Sequence, residues 1–395
     1  MAGTPSLVSI PMFSSDITEL EVKAVVAALK NGLRPSGIEC LRFEELFRLT
    51  FNSKYAISVN SGSAALHLCI RAAGVGPGDI IITSPVSDIS TAEAILYENA
   101  IPLFVDIDNC SGLMDLEYLK EVIHDVSTSS KLSRRWLPRR GAEHVHSLKV
   151  VLPVDVFGLP LDIGPLVNSA AGKTVVVIED SRQALGTINN DHYAGTQANF
   201  GVFSFQPGNP ISTGGGGMIV TENEGSAHLL RTLRNEGCDP MHQNRIYTKL
   251  GFNYHMNEMI AALGRTQLLR LDSILAARHK VAQWYNLRLS ESQALEIPPA
   301  ITGEARQSWP AYVVKLDPSL SRQKIIEELA IQGIPSTSYL LAVHLQPFMV
   351  ERFGYRNGDF PEAELMARRM LALPFSSVMT EKQVDTVCNS LRQIL

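Results

Sequence analysis

Short β-branched runs separated by helical stretches constrain this chain more than any other feature. Tyr55-Ala-Ile-Ser-Val59, Asp79-Ile-Ile-Ile82, Pro102-Leu-Phe-Val105, Lys149-Val-Val-Leu152 and Thr174-Val-Val-Val-Ile178 each read as a buried strand. Helical segments lie between them, Thr91 to Tyr97 among them. This alternation builds an α/β unit: a mostly parallel sheet with both faces covered. Phe200-Gly-Val-Phe-Ser-Phe205 and Gly217-Met-Ile-Val220 read as an antiparallel pair at the far side of that sheet.

At 395 residues the chain exceeds one compact core and divides into two domains. Residues 1–270 are expected to form the large one, opening with a helical arm. In that arm Leu20, Val22, Val25, Val26 and Leu29 share a face, and Ser15-Asp16 is placed to cap the helix. A strongly helical stretch over 255–290 follows, of a kind that bridges domains. Residues 271–395 form a smaller α+β unit, with a strand over Ala311–Leu316 and helices over Arg322–Gln332 and Ala363–Leu373.

A net charge of −5 supplies no field for nucleic acid. The five cysteines have no paired spacing and suit a reducing compartment. The start carries no signal-peptide pattern, and no apolar run reaches bilayer length. A cytoplasmic protein is the expectation. Residues 127–147 are Ser-rich, then basic (Lys131, Arg134, Arg135, Arg139, Arg140). They read either as a solvated surface loop or as a clamp for an anionic substrate group.

Three sites carry candidate chemistry. Ser61-Gly-Ser63 lies between a strand and a helix, where Gly62 and Ser63 offer N–H groups to an anion. Asp180 closes a strand at its carboxyl end, where open α/β sheets place ligands; it can pair with a protonated ring nitrogen or cap a helix. Ser204 leaves a buried strand at the turn Gln206-Pro-Gly-Asn209 and can bond a phosphate or its own turn. Gly214 to Gly217 can cradle an anion or permit a tight return.

The order and spacing of these blocks resemble the DegT/DnrJ/StrS-type sugar aminotransferases, which are fold-type-I pyridoxal-phosphate (PLP) enzymes. Ser61-Gly-Ser-Ala-Ala-Leu66 is similar to that family's Ser-Gly-Thr-Ala-Ala-Leu. Glu179-Asp-Ser-Arg-Gln-Ala-Leu-Gly186 is similar to Glu-Asp-Ala-Ala-Gln-Ala-Leu-Gly. Arg231–Gly237, Gly251–Glu258 and Phe353–Pro361 resemble further blocks. The resemblance implies a mostly parallel seven-stranded sheet between helices and a smaller C-terminal α+β domain. It implies Asp180 on the pyridine nitrogen, Gln183 near the ring hydroxyl and Ser204 on the phosphate. It also implies Asn253 on the phosphate of a neighbouring subunit, hence a homodimer with shared active sites.

The departures bear on function. The position of the Schiff-base lysine, five residues after Ser204, is Asn209, and an amide forms no imine. The ring-stacking aromatic is replaced by Asp88, a histidine by Gln206, and a His-Tyr-Pro-like block by Ser338-Tyr-Leu340. Three functions stay open. One is a lysine-independent enzyme that holds PLP or the amine form PMP non-covalently and acts on a keto sugar or related intermediate. Asn209, His344, Tyr339 and Asp88 are then the candidate catalytic groups. The second is a non-catalytic or PLP-independent homologue, partnering an active paralogue or running another reaction in the pocket. The third is an aminotransferase with its lysine relocated, Lys249 being nearest in sequence.

Overall fold

The fold described here is a computed structural model, which describes residues 10–395 apart from 33, 35, 129–132, 171–174, 242–243 and 302–304. Lys131 of the basic segment and Thr174 of the expected strand lie outside the described residues, as does most of the N-terminal stretch read for a signal peptide.

Seven strands form the main sheet: β1 Tyr55–Val59, β2 Ile80–Thr83, β3 Ile101–Phe104, β4 Leu148–Leu152, β5 Val176–Asp180, β6 Phe200–Ser204 and β7 Gly217–Thr221. Their order across the sheet is β1-β7-β6-β5-β4-β2-β3. Neighbours from β6 to β3 run parallel, and β7 is antiparallel to both β6 and β1. The expected antiparallel pair is thus present, with β1 completing the edge beyond it. All four residues of β2 are buried and all five of β6, which fits strands covered on both faces.

Helices α1 Glu19–Lys30, α2 Ile38–Thr50, α3 Gly62–Ala72, α4 Ile89–Tyr97, α5 Leu116–Thr128 and α6 Glu224–Arg234 belong to this part of the chain. Two corrections apply to the N-terminal arm. Thr18, not Ser15-Asp16, caps α1, in a reciprocal capping box with Glu21. The apolar face of α1 is not buried in its own chain: Leu20, Val22, Val26 and Leu29 are exposed. Phe43 and Phe47 of α2 and its cap Phe51 pack in tilted, edge-on and stacked contacts against Phe203 and Phe205. A buried ion pair ties α2 to α6: Arg234 Nη1 lies 2.6 Å from Glu44 Oε1 and donates to the Ser58 carbonyl at 2.6 Å. That gives Arg234 of the Arg231–Gly237 block a structural role.

The expected 255–290 helix is two helices, α7 Glu258–Leu268 and α8 Leu271–Leu289, with Leu269 as the cap of the first and Arg270 of the second. The C-terminal part carries an antiparallel sheet of β8 Leu295–Glu296, β9 Tyr312–Leu316 and β10 Met370–Leu373, and α9 Arg322–Ile331 and α10 Glu381–Ile394 share its hydrophobic cluster. The helix expected over Ala363–Leu373 ends at Arg369, and Met370–Leu373 pairs as β10 because all four of its side chains are buried in a sheet. A separate short antiparallel pairing links Val86–Ser87 to Leu341–Ala342 of the C-terminal part.

Candidate active site

A cleft of about 270 Å³ lies at the carboxyl ends of β5 and β6 and is closed by residues of the C-terminal sheet. That is where open α/β sheets place ligands. Asp88, Asp180, Gln183, Ser204, Asn209 and Tyr339 all line it.

Ser204 ends β6 with its Oγ buried and without a hydrogen-bond partner among the described residues. Facing it is the N-terminus of α3, capped by Ser61, whose hydroxyl accepts from Ala64 N. Gly62 is required there by space: a Cβ would stand 2.8 Å from Arg182 Cδ and 2.8 Å from Ser204 Cβ. Unsatisfied helix N–H groups beside an orphaned hydroxyl form a place for an oxyanion.

The turn after Ser204 needs Gly208, whose φ is 97°. Arg278 of α8 donates to the Gly208 carbonyl at 2.7 Å and pins the turn. Asn209 then points inward, and its Nδ2 donates to the carbonyls of Ser204 at 2.8 Å and Arg182 at 3.1 Å. Both amide hydrogens are committed to backbone. Gly214 to Gly217 lie outside the cleft lining and make the return into β7, Gly216 O accepting from Phe205 N at 3.0 Å.

Asp180 closes β5 and is 1% exposed. Its partner is Arg182, two residues on. Arg182 Nε donates to Asp180 Oδ1 at 2.7 Å and Nη2 to Oδ2 at 2.8 Å. Arg182 Nη1 donates to Ser90 Oγ at 2.6 Å and Nη2 to Thr91 Oγ1 at 2.7 Å. Burial opposes the charge of this guanidinium, but Asp180 outweighs it and raises the Arg182 pKa. Arg182 was not singled out in the sequence reading. Its signal was an arginine where the similar block has alanine.

Asp88 is the N-cap of α4, accepting from Ser90 N at 2.9 Å, and its carboxylate lies 4.0 Å from Arg182 Nη1. Burial pushes its pKa up, yet Arg182 and the Ser90 hydrogen bonds overcome that and hold it below the usual carboxylate range. Gln183 Oε1 accepts from Phe157 N at 3.1 Å and from Tyr339 Oη at 3.0 Å. Tyr339 stacks on Phe157, and burial raises the pKa of its phenol.

Two candidate residues are not brought to this cleft. His344 is fully buried among Phe104, Tyr355 and Phe360, its Nε2 3.1 Å from Glu364 Oε1; it is a packed histidine and not a cleft base. Lys249 is exposed and outside the lining, and among the described residues no lysine lines the cleft. Asn253 is exposed, its carbonyl accepting from Asn60 Nδ2 at 3.4 Å. In the basic segment Arg135 pairs with Glu121 and Asp125, and Arg139 with Asp359 at 2.5 and 2.8 Å. These two arginines are held by the protein's own carboxylates. No cluster of side chains suited to a metal occurs among the described residues.

The profile of the DegT/DnrJ/EryC1/StrS aminotransferase family matches residues 15–392. The chain belongs to that family. It is 32% identical to GDP-perosamine synthase of Caulobacter vibrioides, over 90% of each chain. Among solved structures it is similar to the aminotransferase TlmJ of Streptoalloteichus hindustanus, at 25% identity and a TM-score of 0.84, covering 97% of this chain and 98% of that one. Spr1654 of Streptococcus pneumoniae shares the fold at 23% identity and a TM-score of 0.85, covering 98% of this chain and 97% of the PMP-form; its PLP-form is solved as well. The family and its structural neighbours bind PLP or PMP.

The residues of this chain fit one end of such a cofactor and not the other. Ser204 and the start of α3 suit its phosphate. At the ring end both oxygens of Asp180 are already taken by Arg182, and Asn209 supplies no amine.

Proposed function

We propose that this chain is a lysine-less sugar-aminotransferase homologue whose cleft binds a phosphorylated keto sugar or related intermediate and does not perform Schiff-base transamination. The carrying observation is Asn209, whose amide is spent on the carbonyls of Ser204 and Arg182 in a cleft that no lysine lines among the described residues. The sugar class is supported by the family and by the relationship to GDP-perosamine synthase. In this reading Ser204, Gly62 and Ser63 take a phosphate group, and Tyr339 and Asp88 are the groups left to orient the ligand or hold a proton.

Arg182 on Asp180 favours the PLP-independent version over the PMP-dependent one. The exposed apolar face of α1 supports a homodimer, with Asn253 facing the neighbouring subunit's cleft. We place the protein in the cytoplasm on its five free thiols. The test is calorimetric titration with a nucleoside diphosphate keto sugar, followed by incubation with glutamate as amino donor. Saturable binding without amino-sugar formation is expected. Amino-sugar formation, or no binding of the sugar nucleotide, overturns the reading.

A further inference from the structure

Arg182 holds the carboxylate on which the resemblance places a cofactor ring. The resemblance implies that the ring nitrogen meets Asp180 and that residue 88 covers a ring face. The Arg182 guanidinium satisfies both carboxylate oxygens of Asp180, lies 4.0 Å from Asp88 and bonds Ser90 and Thr91 at the first turn of α4. Its stem packs over Gly62. It is 7% exposed, and it is held by four side chains from two elements.

A guanidinium is planar and permanently cationic, and it presents N–H donors in a fork that matches a carboxylate. A pyridinium is also planar and cationic and offers one N–H to the same carboxylate. The two therefore compete for one partner. Admitting the ring requires Arg182 to leave a buried ion pair and places a second cation beside the first.

We infer that Arg182 is a specificity-determining residue, a built-in substitute for the pyridine ring that bars PLP and PMP from Asp180. It leaves the oxyanion place at Ser204 and α3 open. The inference goes beyond the sugar-ligand reading and fails separately from it, because its test uses the cofactor alone and no sugar.

The experiment compares the wild type, Arg182→Ala, Asn209→Lys and the double variant. Each is titrated with PMP by equilibrium dialysis and then treated with PLP and borohydride, with peptide mapping of the reduced adduct. The wild type is expected to show no saturable PMP binding into the millimolar range, and Arg182→Ala to bind at least roughly tenfold more tightly. Asn209→Lys alone should yield no reduced adduct at position 209, and the double variant should yield one. Micromolar PMP binding by the wild type, or an adduct at position 209 in the single Asn209→Lys protein, overturns the inference. Those two measurements need no Arg182 variant, so the inference can still be overturned even if Arg182→Ala fails to fold.

Discussion

Arg182 grips Asp180 two residues away, Nε on one carboxylate oxygen at 2.7 Å and Nη2 on the other at 2.8 Å. Both side chains are buried, so neither charge has water to fall back on. Removing one partner strands the other. Arg182→Met should lower unfolding free energy by ~3–5 kcal/mol, whereas Arg182→Met with Asp180→Asn should recover much of the loss. Urea unfolding of the single and double variants gives the cycle directly. An additive double variant would show that the two side chains are not coupled.

The same reasoning applies to Glu44 and Arg234, 2.6 Å apart between α2 and α6. Glu44 Oε1 also accepts from Ser58 N and Oγ at 2.9 and 2.8 Å, so it holds β1 in place. Glu44→Ala should cost ~3–5 kcal/mol. Neither side chain lines the cleft, so sugar-nucleotide affinity in the surviving folded protein should change little.

Much of the sheet was legible because its strands announce themselves as buried β-branched runs. Tyr55–Val59 and Lys149–Leu152 match within a residue. The Ser61 turn, Asp180 and Ser204 were legible as strand ends followed by small residues; Asp180 and Ser204 line the cleft, and Gly62 packs against Ser204. What failed lacked a local signal. The break between α7 and α8 carries no proline or glycine, and Met370–Leu373 reads equally as helix or strand until a sheet accepts it. His344 reads like a catalytic base in sequence, and only tertiary packing against Phe360 and Glu364 decides otherwise. The face of α1 was readable as apolar, but not as exposed.

Glu179 and Asp155 give a pH signature. They are buried, Glu179 near the end of β5 and Asp155 three residues beyond β4. Burial is the main cause of the rise in both, and it lifts Glu179 to about 7. A raised carboxyl means that the native state binds more protons than the unfolded one. Stability must therefore fall as pH climbs from the ordinary glutamate value towards about 7. Glu179→Gln removes the titration, so its stability relative to wild type should improve steadily across that window. Thermal melts at pH 5 and pH 8 check this. A difference that does not change with pH would mean that Glu179 titrates normally.

Asn209 offers the sharpest comparison, because aspartate has the same shape and no N–H. In the native chain the amide donates to the carbonyls of Ser204 and Arg182. Asn209→Ala leaves those carbonyls without that donor and should cost ~1–3 kcal/mol. Asn209→Asp sets a carboxylate against two carbonyl oxygens, which opposes ionisation and raises its folded-state pKa. The native state then binds the extra proton, and stability is lost as pH rises above the unfolded aspartate value. The aspartate variant should accordingly melt below the alanine variant at pH 8, with the gap closing towards pH 4 as the carboxyl regains a proton to donate. A gap that is constant with pH would mean that position 209 does not face these carbonyls in solution, and the reading of the cleft as a site without an amine would lose its geometric basis.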